Sequence, residues 1–370
     1  MDRFLDLKDI VLLPVESNAG GIIRNKATLK VIDSKDVTGP RPCYPIFTSP
    51  MESIIGKENF RIWTDYGIRT IIPRTTDIES RLSLCQWIFC AFSIPEVIKY
   101  FLNQSMKGVR NQLHVCIDSG NGHDMGLLDV CRKLKAFYGN QILIMAGNVA
   151  NPRTYVLYSK AGIDYMRVGI SNGSLVNREQ YGFYYPMAQF LIDLTLFRNS
   201  GACAGLRPVK IIADGGIEDY SDIMKAIALG ADYVMIGMEF ARVVEALGTV
   251  IKVDKDINGV SNTINIDPQT LIGMSGVRAR SNDFYRYYYG NTTEEMQARR
   301  AGFNSIEEWK KSNPKPKIPD AGWRKVKVDI NLKEWIEEFE DVATQGFVWA
   351  NATNWKEYKE HMYNHYGTLR

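Results

Sequence analysis

Histidine is scarce in this sequence, and its cysteines are not paired. The chain has 370 residues, of which four are histidine and six are cysteine, and no two cysteines form a CxxC motif. Because zinc sites are built from closely spaced Cys and His ligands, we expect no metal site. In a chain of this length, scattered cysteines are more typical of reduced thiols in a cytosolic protein than of a disulfide framework. The cysteines are Cys43, Cys85, Cys90, Cys116, Cys131 and Cys203.

Long apolar runs and a strong charge of one sign are also missing. No apolar run reaches the roughly 20 residues that cross a bilayer. The first residues, MDRFLDLKDIVLLPV, are charged and interrupted, unlike a signal peptide. We therefore expect a cytoplasmic protein without membrane association. The net charge of +3 is too small to favour nucleic acid as a partner.

The most informative part of the sequence is the run Ile211–Gly237. It contains an apolar stretch, an Asp214-Gly215-Gly216 turn, an amphipathic stretch, a Gly-Ala stop and a second apolar stretch. Parallel strands are buried on both faces, so continuous apolar runs of this kind predict a βαβ unit. Ligands of α/β folds bind at the carboxyl ends of such strands, where glycines let backbone N–H groups approach an anion. The run predicts a site for a phosphorylated ligand, with Asp214 accepting hydrogen bonds from hydroxyl groups.

Apolar strands alternate with amphipathic helices up to about residue 240. Eight evenly spaced strands without an evident edge strand favour a (β/α)8 TIM barrel over a doubly wound open sheet, the competing fold. We predict one domain over 1–370, with barrel strands over about 45–240 and an extended C-terminal loop or flap region over about 250–370. Within that region, 253–268 is polar and turn-rich. The predicted strands are Pro45–Met51, Arg69–Pro73, Phe89–Ile94, His114–Ser119, Ile142–Gly147, Tyr165–Ile170, Val209–Asp214 and Tyr233–Met238.

Nearly every predicted strand is followed by glycine and a small polar or acidic residue. One such loop is more often a plain turn, but seven loops at one face of a barrel indicate a ligand site. Donor-rich loops after the seventh and eighth strands are the common phosphate site of TIM barrels. The motifs that contain the loops are, in order, SPME, DSGNG, MAGNV, RVGISNGS, IIADGG, YVMIG and IGMS.

This set of motifs resembles the family of inosine monophosphate dehydrogenase and guanosine monophosphate reductase. The resemblance runs from about Leu5 to about Met362. The family's regulatory CBS pair usually follows the second barrel strand, whereas here residues 74–84 lead directly to the third. The missing insert, MAGNV and IGMS favour the reductase, while SPM and the tail LKEWIEEFED favour the dehydrogenase.

The resemblance implies a role for each matching residue. Asp214 would bind the ribose hydroxyls, and Asp118 would lie beside the nicotinamide of NADPH or NAD. Two alternatives stay open, because Asp118 could instead cap the turn after its strand and Ser275 could be an ordinary turn serine. The residues implied to bind the purine mononucleotide are Ser49, Met51, Ser174, Asp214, Gly216, Gly237, Met238, Gly273 and Ser275. Those implied to bind the cofactor are Asp118, Gly147 and Asn148.

The loop after the sixth strand departs from the family at its catalytic position. The family's nucleophile is a cysteine two positions after the serine of the GS pair, and Val176 holds that position here. Valine cannot form the covalent thioimidate, so the family's standard route is excluded. Arg178 follows in place of a threonine. Asp320 lies beside Ala321, where the reductase has a glutamate.

Three hypotheses remain open. The first is a purine-nucleotide oxidoreductase that uses a nicotinamide cofactor without the thioimidate, assisted by Asp118, Arg178 or Asp320. The second is a catalytically silent family member that binds a nucleotide as a regulatory or partner subunit. The third is a barrel enzyme for another phosphorylated metabolite. The resemblance also implies a homo-oligomer, usually a tetramer.

Overall fold

The structure of the protein is a computed structural model. It describes residues 5–16, 24–33, 35, 41–104, 106, 110–173, 182–255, 261–280, 283–289, 298, 306–312, 323–363 and 365–368.

Eight parallel strands form the centre of the molecule. From the second strand to the eighth each pairs with the next in chain order, and the eighth pairs with the first. The sheet closes where Arg69, just before the second strand, pairs with Phe47 of the first. There the Arg69 N–H donates to the carbonyl of Ile46 at 3.0 Å, and the Thr48 N–H donates to the carbonyl of Arg69 at 2.9 Å. The predicted TIM barrel is therefore confirmed. The strands are Ile46–Thr48, Ile71–Ile72, Phe89–Phe92, Leu113–Asp118, Ile142–Val149, Tyr165–Val168, Lys210–Asp214 and Tyr233–Ile236.

Helices connect the strands around the outside of the barrel. Four of these helices begin at a side-chain cap, as at Asp219, which accepts a hydrogen bond from the N–H of Asp222 at 3.0 Å. The same helix ends before Gly230, whose φ of +116° favours glycine. The connecting helices are Phe60–Asp65, Ile78–Leu84, Ile94–Val97 (continued by a π-helical turn, Ile98–Asn103), Met125–Tyr138, Thr154–Ala161, Met187–Arg198 and Tyr220–Ala228. Short 3-10 turns lie at Leu7–Asp9, Gly139–Gln141, Gly201–Cys203, Met238–Arg242 and Pro268–Thr270.

The amino-terminal end of the barrel is sealed from within. Tyr165 and Tyr233 begin two strands, and both donate hydrogen bonds to Oδ2 of Asp33 at 2.6 Å. The guanidinium of Arg69 lies 3.9 Å from the same oxygen and over the ring of Phe47. A buried carboxylate of this kind is stable only with such partners. Asp33 thus joins the sixth and eighth strands at the amino-terminal end of the barrel.

A four-stranded antiparallel sheet follows the barrel. Its strands, in spatial order, are Ser261–Ile266, Val250–Lys255, Phe284–Tyr289 and Trp323–Lys327. The sequence did not predict this sheet, because one face carries Lys, Asn and Thr and the stretch 253–268 reads as polar and turn-rich. Arg286, fully buried, fixes the sheet to the barrel by donating to the carbonyls of Ala241, Val243 and Val244 at 2.6, 2.7 and 3.2 Å.

The last helices pack on the outside of the barrel. Helix Leu332–Trp349 buries Trp335, Phe339 and Phe347, and helix Trp355–Met362 follows it. Two shorter helices, Gly276–Arg280 and Ile306–Ser312, precede them, and strand Ile10–Leu12 pairs with Tyr366–Thr368. In the part of the chain that the structure describes, no helix is long and apolar enough to span a membrane.

Candidate functional site

The core of the site is an arginine held between two carboxylates at the mouth of the barrel. Arg167, in the sixth strand, donates from Nη1 to Oδ1 of Asp118 at 2.8 Å. It also donates from Nε and Nη2 to Oδ2 of Asp214 at 3.1 and 2.8 Å. Asp118 and Asp214 end the fourth and seventh strands, so parallel pairing brings them to the same rim.

Charge pairing keeps this arginine protonated inside the protein. Arg167 is only 6% exposed, and burial alone would lower its pKa. The carboxylates of Asp214 and Asp118 reverse that effect and raise the pKa of Arg167 above its ordinary value. The site therefore contains a fixed cation flanked by two oriented acceptors.

The loop after the fifth strand completes the cluster. The side-chain amide of Asn148 donates to Oδ2 of Asp214 at 2.7 Å and to the carbonyl of Gly169 at 2.9 Å. Gly147 lies against Arg167, and a Cβ there would come within 2.6 Å of its backbone oxygen. Glycine at 147 thus lets the fifth and sixth strands approach closely. The structure brings together three predicted residues, Asp118, Asn148 and Asp214.

A second group of predicted residues lies where the first and eighth strands end. A Cβ built on Gly237 would lie 3.3 Å from Oγ of Ser49 and 3.4 Å from Sδ of Met51. The hydroxyl of Tyr288, from the antiparallel sheet, reaches the same place and lies 3.4 Å from the Met51 sulfur. Met238 follows directly and begins a 3-10 turn. This group forms the opposite rim of the mouth from the fourth and fifth strands.

Glycines form the turn after the seventh strand. Gly215 and Gly216 have φ of +104° and +78°, which side chains rarely adopt. The nearest atom to a Cβ built on Gly216 is the carbonyl oxygen of Asn172, at 3.7 Å. Gly216 therefore leaves an open approach to its backbone, as an anion site requires.

Gly273 and Ser275 lie at the surface, at the start of helix Gly276–Arg280. Ser275 accepts a hydrogen bond through Oγ from the N–H of Arg278 at 3.3 Å, and the N–H of Gly276 donates to Glu334 at 3.1 Å. Both residues thus stay predictions as ligand contacts. The predicted residues Ser174, Arg178 and Asp320, and the position of Val176, lie outside the described residues.

One cysteine does contact the cluster at the mouth. Nη1 of Arg167 lies 3.6 Å from Sγ of Cys116, which is fully buried inside the barrel. Burial raises the pKa of the Cys116 thiol to about 12, with Arg167 acting in the opposite direction. A thiol that stays protonated at neutral pH is a poor nucleophile. We therefore do not count Cys116 among the candidate catalytic groups. Among the described residues, no group of three or more His, Cys, Asp or Glu side chains could hold a metal ion.

Sequence reasoning missed two residues of the mouth, Arg167 and Tyr288. Arg167 was visible as a charge within an apolar strand, which requires a buried partner of opposite charge. Tyr288 belongs to a tyrosine-rich stretch in which buried residues alternate with partly exposed ones. The buried residues are Phe284, Arg286 and Tyr288, and this alternation can be recognised only when the stretch is known to be a strand.

The sequence is similar to proteins of known family. Residues 106–298, slightly more than half of the chain, match the family model described as IMP dehydrogenase / GMP reductase domain. The chain is 38% identical over 138 residues to inosine-5'-monophosphate dehydrogenase of Chlorobaculum parvum, covering 37% of this chain and 26% of that protein. It is 25% identical over 270 residues to human GMP reductase 2, covering 68% of this chain and 73% of that protein. With GMP reductase of Buchnera aphidicola it shares 35% identity over 140 residues, 38% of each chain. The matched segment thus spans about a quarter of the bacterial dehydrogenase.

Proposed function

Because the chain belongs to the IMP dehydrogenase / GMP reductase family, we propose that it is a purine-nucleotide oxidoreductase that works with a nicotinamide cofactor. Its substrate is a purine nucleoside 5′-monophosphate, bound at the carboxyl ends of the barrel strands. The observation that carries the proposal is the position of Arg167, which holds Asp118 and Asp214 in one mouth.

Asp214 is suited to bind ribose. Its Oδ2 accepts from Arg167 and Asn148. Within the described part of the chain, no hydrogen bond reaches its Oδ1. The carboxylate is thus oriented through one oxygen and offers the other to ligand hydroxyls. At Gly216 and Gly237 the absence of a side chain would let the 5′-phosphate approach the backbone N–H groups.

The loops after the fourth and fifth strands fit a nicotinamide. Asp118 and Asn148 present a carboxylate and an amide, whose hydrogen-bonding capacity matches that of a carboxamide. A Cβ built on Gly120 meets no atom within 4 Å, so the turn after Asp118 is open to a flat ring. NADPH or NAD would supply the hydride donor or acceptor. A proton must be exchanged with the purine in the same reaction, and Asp118, Arg178 and Asp320 are our candidates for assisting that exchange.

Val176 favours a second candidate function. Without the cysteine, the covalent route of the family is closed, and loss of a nucleophile removes several kcal/mol of transition-state stabilisation. The chain would then bind its nucleotide without transforming it and would act as a regulatory or partner subunit. The retained loops support nucleotide binding in both cases.

One assay separates the two candidates. Ultraviolet absorbance of NADPH or NADH is followed with the purified protein and a panel of purine ribo- and deoxyribonucleotides. Turnover with any of them contradicts the silent subunit. Micromolar binding by calorimetry without turnover contradicts the oxidoreductase.

The variant Val176→Cys refines the answer. If the rest of the machinery is intact, this variant gains reduction of guanosine monophosphate, and its new thiol forms an adduct that mass spectrometry detects. Light scattering of the same samples tests the homotetramer that the resemblance implies.

A further inference from the structure

A cavity of about 690 Å³ lies at the amino-terminal end of the barrel, opposite the mouth. This volume is within the range of small-molecule sites. Helix Phe60–Asp65 contributes to its wall, together with residues near the starts of the first four strands. Those strand residues are Phe47, Thr70, Phe89 and His114. The proposed function uses only the carboxyl ends of the strands, so it leaves this cavity without a role.

Two buried polar groups at this cavity are unpaired. Neither Oγ1 of Thr70 nor Nε of Arg69 has a hydrogen-bond partner among the described residues. Thr70 is 3% exposed, and the side chain of Arg69 is 10% exposed. Buried polar groups are nearly always hydrogen-bonded, so two unpaired ones require an explanation. Because the two residues are consecutive and line one cavity, a single ligand can reach both.

The cavity carries an excess of positive charge. Its described lining contains three arginines, Arg41, Arg61 and Arg69, but only one carboxylate, that of Asp65. Of the three arginines, only Arg69 has an ion pair within the described part of the chain, with Asp33 at 3.9 Å. Guanidinium groups stay protonated and match the geometry of a carboxylate. The charges therefore favour an anionic ligand.

Aromatic side chains form much of the remaining wall. Phe47 and Phe89 meet edge to face, with ring centroids 6.0 Å apart. The Arg61 guanidinium lies 5.8 Å from the centroid of the Phe60 ring. Trp87 also lines the cavity, and it is 61% exposed. Because aromatic rings pack well against other rings, this wall favours a ligand with a flat apolar body.

We propose that this cavity binds an aromatic carboxylate, a small organic acid that carries a flat ring. The carboxylate accepts hydrogen bonds from Nε of Arg69 and from the Thr70 hydroxyl, and the ring packs against Phe60 and Trp87. The site lies at the other end of the barrel from the nucleotide site, so the inference does not depend on the proposed function.

Calorimetry with 2-naphthoate tests the proposal. One matched probe is 2-naphthylmethanol, which keeps the ring system but has no charge. The other is decalin-2-carboxylate, which keeps the charge but has no aromatic ring. Naphthoate should bind about 10-fold or more tightly than the alcohol, as loss of a charged acceptor implies. It should also bind more tightly than the saturated acid, because the saturated acid cannot stack.

Two variants identify the site. Thr70→Val keeps the shape of the side chain and removes the hydroxyl, so it should weaken naphthoate binding about 10-fold or more. Because this hydroxyl has no partner in the chain, Thr70→Val should not lower the melting temperature. Trp87→Ala should weaken both naphthalene probes. The control is Trp349→Ala, which removes a tryptophan of similar exposure, 60%, away from the cavity and should change neither affinity.

Three results would each overturn the inference: no naphthoate binding up to the millimolar range, equal affinities for naphthoate and naphthylmethanol, or unchanged naphthoate affinity in Thr70→Val. GMP should not displace naphthoate, because the two sites lie at opposite ends of the barrel. Displacement would place the probe in the mouth and would contradict the inference as well.

Discussion

Arg167 donates two hydrogen bonds to a single oxygen of Asp214, while its remaining nitrogen binds Asp118. One cation therefore fixes the orientation of two carboxylates that belong to different halves of the proposed site. The side chain of Arg167 thus contacts both the nucleotide side and the cofactor side of the proposed site. Its replacement should weaken the binding of both ligands.

Arg167→Met should destabilise the protein strongly. Two largely buried carboxylates would lose their cation, and breaking such a pair costs about 3–5 kcal/mol. Urea unfolding measures the free energy of unfolding of each variant. The control is Arg132→Met, which replaces an exposed arginine and should stay within about 0.5 kcal/mol of wild type. Adding Asp214→Asn to Arg167→Met should recover part of the loss, since one unpaired charge is removed. Equal stability of the two single arginine variants would contradict this account.

Asp214→Asn should reduce nucleotide affinity by about 10-fold or more, because the ribose hydroxyls lose a charged acceptor. Asp118→Asn is the matched control, since it removes a carboxylate from the same arginine on the cofactor side. It should leave nucleotide affinity within a few-fold of wild type and weaken the cofactor instead. Calorimetry with the nucleotide and with the cofactor measures each affinity separately. Equal changes in both affinities for both variants would refute the assignment of Asp214 to the nucleotide and of Asp118 to the cofactor.

Gly237→Ala should lower both stability and nucleotide affinity. The φ of Gly237 is −115°, so alanine is allowed there, but its Cβ would lie 2.5 Å from the Tyr288 hydroxyl. Overpacking of this kind costs about 1–3 kcal/mol. The double variant Gly237→Ala/Tyr288→Phe should regain stability, because the clashing oxygen is gone, without regaining affinity. Gly201→Ala, with no atom within 4 Å of its Cβ, is the control. If Tyr288→Phe does not rescue stability in urea unfolding, the contact is not the cause.

Stability should fall as pH rises from about 4.5 to 7, in part through Glu239. Burial raises the pKa of Glu239 from 4.5 to about 7, with Arg242 opposing the effect. Between these values the folded protein keeps a proton that the unfolded chain has released, so folding is favoured at the lower pH. Glu239→Gln should flatten this slope, and the exposed Glu360→Gln should not. The measurement is urea unfolding across that pH range. A slope in Glu239→Gln equal to that of wild type would rule out this carboxyl as its source.

The sequence predicted the barrel well because its signals are local. Continuous apolar runs such as Ile142–Val149 identify buried parallel strands, and Asp219 and Gly230 mark where a helix begins and ends. The C-terminal sheet is different. Its strands pair over long separations, as Tyr285 does with Lys327, and their outer face is polar, so composition resembles that of a loop.

Site residues that lie at the ends of barrel strands could be predicted from the sequence. Site residues whose position depends on the packing of other elements could not. Asp118 and Asp214 end two of the apolar runs that predict parallel strands, which is enough to place both at the carboxyl rim of the barrel. Tyr288 enters the mouth from a sheet whose register cannot be read locally. Ser275 lies at the surface, beside the helix that it begins. A motif match shows which residue corresponds to a family position, but it does not show where that residue lies in the structure.

The attachment of the C-terminal sheet has a consequence for sequence variation. Arg286 binds carbonyl oxygens of Ala241, Val243 and Val244, which every amino acid possesses. Substitutions in that segment can therefore change its side chains without loosening the sheet, whereas Arg286 itself has no substitute that reaches three carbonyls. The position of Tyr288 at the mouth therefore depends on Arg286 and on main-chain atoms. Substitutions in the surrounding sequence should leave that position unchanged.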